Sequence, residues 1–539
     1  MNRREFIARA SMLTGAAVPI LSRASRALDR DALSFDASAA KPAPRISFET
    51  TDPLLARTYR HALDVLAANV MVLPYYPRPV LIEGSVYQRL SGEGGPHEGL
   101  IYGVIRPDVA RNNQMAFFAL QREDGLIPHA MKSNEIGWRH LQLAVPLVAT
   151  AWELSQQTGD SELLETAYNG SSRFDAWLRR YRDTRHTGLC EGFCTFDTGQ
   201  DKSPRWAGIP DSCPDDDARK CPPLASLPRL CPDMSATVYG GRVALAAMAR
   251  ALGKSAEADR WLADADAIRA AILNRLYSTD DAAFYDVDAQ NQFVRVRGEV
   301  IARVLGEHVV DEKLFATIYD RQIHNPAAFW APYPLTSIAL DDPKFVRSIP
   351  ENSWGGASQA LTALRATRWM EYYKKPADFA HLMQQWVASI CRAGEFYQQI
   401  DPLDGTSTQA PANYSPAALV LFDFTWRLAG VRRVDGNLEW NICPPAHEVR
   451  ATYRLKVTPR QIAEIRYAAG RAELFLNGKL ICRTGGTVRL LSDLDGNIHA
   501  ATGIASEKTK VVLNESRHDM RPLSIEPNEW RGFVFLDKS

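Results

Sequence analysis

The sequence predicts a mainly α fold, an (α/α)6 toroid of paired helices, followed by an all-β sandwich-like domain. Three observations carry this: a succession of long amphipathic stretches from Asp52 to about Gly430, the joining of several of them in pairs by short polar turns, and a change after Val431 to alternating strands. The domain boundaries that follow are 1–39 for an export segment, 40–430 for the helical barrel and 431–539 for the sandwich-like domain.

The amino terminus comes first. Asn2, Arg3, Arg4, Glu5, Phe6 and Ile7 form a twin-arginine pattern, and a mild apolar run from Ala10 to Leu21 follows. That run is too short and too interrupted to span a bilayer, so residues 1–39 read as a twin-arginine signal peptide and linker, with the mature protein periplasmic or secreted. The bland alternative is a basic tail.

Three helix pairs are visible in the next segment. AWELSQQTGDSELLETAY turns at Gly159 and Asp160, MARALGKSAEADRWLADADAI at Gly253 to Ser255, and WMEYYKKPADFAHLMQQWV at Lys375 and Pro376. Each joins an apolar helix to a more charged one, as expected where an inner helix is covered on both sides and an outer one meets solvent. About 380 residues, at roughly 30 to 35 per helix and connection, give eleven or twelve helices. An open helical solenoid is the alternative, but the stretches share no sequence period. The connection from about His186 to Asp233 is far longer than an ordinary turn, which marks it as functional. Beyond Val431, LEWNI, ATYRLKV, IAEIRYAAG and RAELFLNGKLICRTGG alternate as strands, with hairpin turns at Asn477–Gly478 and Asp495–Gly496. A shorter β or irregular piece is expected around Ile46 to Thr50.

Composition limits the ligand. Lysines plus arginines equal aspartates plus glutamates at 63 each, so no global field recruits nucleic acid or an anionic membrane. A small or neutral ligand suits this chain, and no cofactor is expected. Five of the eight cysteines, Cys190, Cys194, Cys213, Cys221 and Cys231, crowd into the long loop, and an oxidising destination makes disulfides the leading reading there. Zinc is the alternative, although no CxxC pair and no histidine lies among the five. The run Asp215, Asp216, Asp217 raises calcium against a solvated loop, and no metal ligand is assigned.

The stretch FCTFDTGQDKSPRW, residues 193–206, holds the chemistry. It places Asp197 and Asp201 four apart, then Arg205 and Trp206. An acid catalyst needs a carboxyl that stays protonated near neutral pH, which an aromatic neighbour or a second carboxylate can arrange. Arg205 is suited to hold a hydroxyl or an anionic aglycone, and Trp206 to stack on a pyranose face. The competing reading is a polar loop with a structural tryptophan.

DTGQDKSPRW resembles the E-S-G-M-D-N-S-P-R-W string of mannosylglycerate hydrolases and processing α-glucosidase I, and more distantly the trehalase signature E-S-G-W-D-F-S-S-R-W. FFALQREDGLIPHAM (117–131), ENSWGGASQALTALRATRWMEYYKK (351–375) and FYQQIDPLDGTSTQAPANYSPAALVLFDF (396–424) are similar to three further family stretches, in the same order. The resemblance implies an inverting glycoside hydrolase acting on a small saccharide or glycoside, with Asp201 as general acid. It further implies Arg205, Trp206, Trp354, Gln398, Tyr414 and Asp124 on the substrate side, and Asp197 as the carboxylate that raises the acid's pKa. Asn352, Ser353 and His129 lie in the same stretches.

Two departures from the family pattern matter. The family's general-base glutamate aligns with Gln398, and its substrate-side arginine after tryptophan aligns with Gly355. An amide cannot take a proton from water. Glu395, three residues earlier, is therefore the expected base; Asp401 and Asp404 sit in turn-forming pairs. The alternatives are an inverting phosphorylase, whose phosphate nucleophile needs no base, and a sugar-binding homologue that no longer cleaves. A lyase or epimerase would need tyrosine, histidine or paired-histidine constellations that no recognisable spacing supplies. The expected partner is a saccharide, with neither nucleic acid nor, once the signal is removed, a membrane.

Overall fold

The computed structural model describes residues 45–84, 87–347, 353–407, 412–515 and 521–533. The expected export signal, residues 1–39, and Asn352 lie outside them. Among the described residues, no helix is long and apolar enough to cross a membrane.

Twelve α-helices are present among the described residues: α1 (Pro53–Ala68), α2 (Gly95–Tyr102), α3 (Pro107–Ala119), α4 (Leu147–Thr158), α5 (Ser161–Tyr181), α6 (Pro232–Ala251), α7 (Ser255–Arg275), α8 (Val300–Gly306), α9 (Glu312–Ile318), α10 (Ala360–Arg365), α11 (Pro376–Ala393) and α12 (Ser415–Ala429). Local chemistry sets their ends. Asp52 caps α1 by accepting from the Leu54 and Leu55 amides, and Pro53 opens it. Asp160 caps α5 through the Leu163 amide, directly after Gly159 has closed α4 at φ +70°.

The even-numbered helices touch in the order α2, α4, α6, α8, α10, α12, and α12 returns to α2. Odd-numbered helices flank them, α3 on α2, α5 on α4, α7 on α6, and α1 and α11 on α12. Burial follows this division. Helix α6 is buried over most of its circumference, whereas α7 buries one stripe, Ala258, Ala265, Ile268 and Ile272. Two of the three expected helix turns are as read. The third differs: the stretch before Pro376 is a short α10, a 3-10 turn at Ala366–Arg368 and further turns, not a long helix. Buried Trp369 and Tyr373, the latter stacked at 3.9 Å on Phe315, hold that path, and Lys374 takes φ +59°.

The sheets follow α12 directly. One sheet of seven strands and one of five carry the carboxy-terminal region, their described pairings all antiparallel. Ile46–Thr50 belongs to the larger sheet, paired antiparallel with Ala451–Thr458, so this segment joins the β region and not the helical one. Helices and sheets share one core. The Tyr467 hydroxyl donates to the Ala429 carbonyl at the end of α12, and the Trp426 indole donates to Tyr59 on α1 while lying edge-on to Tyr453.

Glu371 joins the two parts electrostatically, with Arg489 at 3.1 Å, Arg427 at 3.7 Å and Arg432 at 3.8 Å. Burial works to raise its carboxyl pKa, but the three guanidinium groups outweigh it and hold the group down at about 2. A depressed carboxylate contributes stability above its unfolded pKa, and loses it as pH falls through the folded value. Glu371→Gln should therefore cost about 2 kcal/mol at neutral pH, after allowance for a side chain one-quarter exposed. In thermal melts the gap between wild type and variant should close as pH falls from about 4.5 towards about 2; a gap unchanged by pH would show that the charge is not what Glu371 contributes.

Candidate active site

The loop between α5 and α6 is built on buried ion pairs. Arg182, at the end of α5 and fully buried, donates to both carboxylate oxygens of Asp197 and to the carbonyls of Ala218 and Glu191. Asp197 also accepts from the amides of Leu141, Phe193 and Cys194. Its lone pairs are thus spent in holding the loop's first turn. Eight residues on, Arg205 is 4% exposed and forks between Asp286 and Asp233, with a further bond to the Gln200 side chain. All five of its N–H groups are used within the protein. Burial opposes the charge of Asp233, yet Arg205 and Arg303 keep its carboxyl below the usual range. Trp206 is 2% exposed, its indole N–H on Thr198 Oγ1 and its ring beside the Arg205 and Arg229 guanidinium groups.

These anchors fix the backbone around Asp201. Gly199, at φ +69°, lies so close to the Glu93 carboxylate that a Cβ there would stand 2.3 Å from its oxygen. Gln200 donates to Glu299 and accepts from Arg205. The Asp201 carbonyl accepts from the Trp354 amide at 2.9 Å, and Asp201 itself is partly exposed. Trp354 is 1% exposed, with Arg303 beside its ring and its indole N–H buried without a partner among the described residues.

Facing Asp201 is the turn after the strand Tyr76–Leu81. The Tyr87 hydroxyl donates to Gln398 Oε1 at 2.9 Å. Its pKa is raised first by burial, then by the charge of Asp201, then by Glu83 and Glu93, with Arg89 opposing. Tyr87 is thus bonded to Gln398 and lies within electrostatic reach of Asp201 and of two buried glutamates. Glu83 pairs with Arg89 at 3.1 Å, and Glu93 with Arg365 at 3.2 Å. Burial raises the Glu93 carboxyl despite Arg365 and Arg303. Glu98 lies buried nearby with neither carboxyl oxygen bonded to a described residue; burial, and then the Glu83 charge, push its pKa well up, which favours the neutral acid. Tyr414 is buried with its ring 6.1 Å from Tyr87.

The other expected residues lie in different settings. Glu395 is set apart from this cluster: its carboxylate pairs with His61 of α1 at 3.2 Å and is 42% exposed. Asp124 accepts from Arg122, from the Leu126 amide and from the Trp177 indole of α5, which makes it a turn-former. His129 is buried with its ring 3.6 Å from that of His140, and burial lowers its pKa to about 3, so it is neutral. Asp215, Asp216 and Asp217 face Lys220, Arg139 and Arg219 respectively. The structure contains no disulfide bond among the described residues. Among the described residues, Cys194, Asp197 and Cys213 are the one group of potential metal ligands, and Asp197 is already saturated by Arg182 and three amides. Glu83, Tyr87, Arg89 and Glu93 were not singled out by sequence. The signal for Glu93 was SGEGGPHEG, residues 91–99, where two glutamates stand among four glycines.

No curated protein matches this chain in sequence. Among solved structures it is similar to the GH63 mannosylglycerate hydrolase of Thermus thermophilus in complex with glucose, at 16% identity and TM-score 0.56, covering 68% of this chain and 99% of that one. Neutral trehalase of Saccharomyces cerevisiae matches at 12% identity and TM-score 0.51, over 67% of this chain and 79% of the other. The GH78 rhamnosidase of Bacillus sp. GL1 matches at 14% and 0.54, over 80% and 42%. At such identities these likenesses speak for the fold. The family model of the mannosylglycerate hydrolase MGH1-like glycoside hydrolase domain matches residues 101–417, more than half of the chain and including the acidic loop. The chain belongs to that glycoside hydrolase family and is a glycosidase.

Proposed function

We propose that this glycosidase is an exported, inverting enzyme of (α/α)6-toroid architecture that acts on a small saccharide or glycoside with Asp201 as general acid. The observation that carries the reading is the immobilised backbone on both sides of Asp201, whose charge acts on the Tyr87 hydroxyl that binds Gln398. Asp201 protonates the glycosidic oxygen as the bond to the anomeric carbon breaks. A water on the opposite face of the ring attacks that carbon and gives its proton to a carboxylate, and the anomeric configuration inverts. Such carboxyl pairs stand roughly 6.5 to 9.5 Å apart. Gln398 cannot act as this base, and Glu395 lies with His61 apart from Tyr87, so the role is assigned to Glu83 or Glu93, whose charges act on Tyr87 together with that of Asp201. Arg205 and Trp206 position the acid's loop, since their polar groups are already bonded within the protein.

Asp201→Asn should lower kcat by at least about 100-fold while sugar affinity changes little. Proton NMR during the first turnovers should show the inverted anomer; the retained anomer would overturn the mechanism.

A second set of variants assigns the base. Glu83→Gln or Glu93→Gln should lower kcat by about 10²- to 10⁴-fold with the fold intact by circular dichroism, and Glu395→Gln should leave it nearly unchanged. Gln398→Glu, which adds a negative charge near Asp201, should shift the pH profile without raising activity. A large gain in Gln398→Glu, with both glutamate variants like wild type, would mean that the natural enzyme lacks a hydrolytic base. Turnover that requires phosphate and yields a sugar phosphate would favour a phosphorylase.

Export has its own test. Replacing Arg3 and Arg4 by lysine should strand the protein in the cytoplasm on cell fractionation; unchanged export would remove the twin-arginine assignment.

A further inference from the structure

The neck of the acid-bearing loop is closed by backbone bonds from the Thr195 amide to Pro210 and from the Phe196 amide to Asp211. On either side of this neck stand Cys194 and Cys213, both buried, with their sulfurs 3.6 Å apart. The twenty residues from Cys194 to Cys213 include Asp201, Arg205 and Trp206. Phe193 packs against both thiols in a small apolar cluster of its own. The Arg182 guanidinium, which holds Asp197, also reaches Cys213 Sγ at 3.7 Å.

We infer that Cys194 and Cys213 form a disulfide in an oxidising compartment, and that this bond clasps the loop presenting Asp201. The two sulfurs need approach by less than two ångströms to reach the bonded distance of about 2.05 Å, within the range of thiol side-chain rotation. A metal is the weaker reading of the same cluster, because its third member, Asp197, has its oxygens taken by Arg182 and three amides. Formation proceeds by exchange. One thiolate attacks a low-molecular-weight or protein disulfide, giving a mixed disulfide and releasing one thiol. The second cysteine then attacks the mixed disulfide, closing the Cys194–Cys213 bond and releasing the other thiol. Two protons and two electrons leave the cysteine pair and reduce the oxidant. The clasp removes freedom chiefly from the open and unfolded loop, so its effect is on retention of the loop's shape.

The inference rests on the export reading only for where the oxidant is met, so the test supplies the oxidant. Purified full-length protein is equilibrated with mixed reduced and oxidised glutathione, denatured with iodoacetamide in the absence of reductant, digested and mapped by mass spectrometry. The peptides bearing Cys194 and Cys213 should be recovered as one linked species, lighter by two hydrogens than their sum. Recovery of both as alkylated thiols would overturn the inference, as would linkage of either to Cys221, the partly buried cysteine that packs on the same cluster, or retention of stoichiometric zinc with both thiols reduced. Dithiothreitol should lower the melting midpoint of oxidised wild type by about 5 °C and leave a Cys194→Ala/Cys213→Ala double variant unmoved. An equal fall in the double variant would show that the stabilising bond lies elsewhere; should that variant not fold, the wild-type peptide map decides alone.

Discussion

The site depends on one buried guanidinium. Arg205 sits in the loop that carries Asp201, and its carboxylate partners lie elsewhere, Asp233 at the start of α6 and Asp286 on a short strand beyond α7, while Gln200 beside Asp201 adds a bond within the loop. A cation so deeply buried is tolerable only because two carboxylates face it bidentately. Gln200 extends the lattice through Glu299 to Arg303, which also donates to the Thr198 carbonyl. Asp201 is therefore placed by α6 and α8 as much as by its own loop. Rigidity of this kind is what the proposed general-acid role requires, since a proton donor displaced by an ångström loses its alignment with the leaving oxygen.

Beside this lattice lies a second polar cluster. Glu83, Glu93 and Glu98 are three buried carboxyl groups set against Arg89, Arg365 and Arg303, and burial shifts Glu98 towards its neutral form. A wall of this composition can accept as well as donate hydrogen bonds, which suits a ligand made of hydroxyl groups. Gln398 enters the wall through Tyr87.

Much of this was legible in the sequence, and the limits have physical causes. The polar turns at Gly159–Asp160 and Gly253–Ser255 are local signals, and the chain obeys them. The turn before Pro376 was legible but the helix ahead of it was not, because buried aromatic contacts overrode helix propensity. The motif around Asp201 could be found because it is contiguous, and the family match spans it. The roles of Arg205 and Asp197 could not be, since residue type does not say whether donors and acceptors are already spent on partners such as Asp286, 81 positions away. Glu83 and Glu93 lie on short segments with no period, and only tertiary packing sets Glu93 against Gly199 and Arg303.

The pairing of Ile46–Thr50 with Ala451–Thr458 bears on how the chain is made. The Thr50 hydroxyl bonds the Arg450 carbonyl, 400 positions later in the sequence. At synthesis rates of about 5 to 20 residues per second, the first strand waits on the order of 20 to 80 s before its neighbour leaves the ribosome. During that interval its hydrogen-bonding edge has no native complement, and the larger sheet cannot be completed. A nascent chain of this design has reason to be held by chaperones until translation ends, and a truncation that removes the last sheet would expose the first strand as well as the helices it covers.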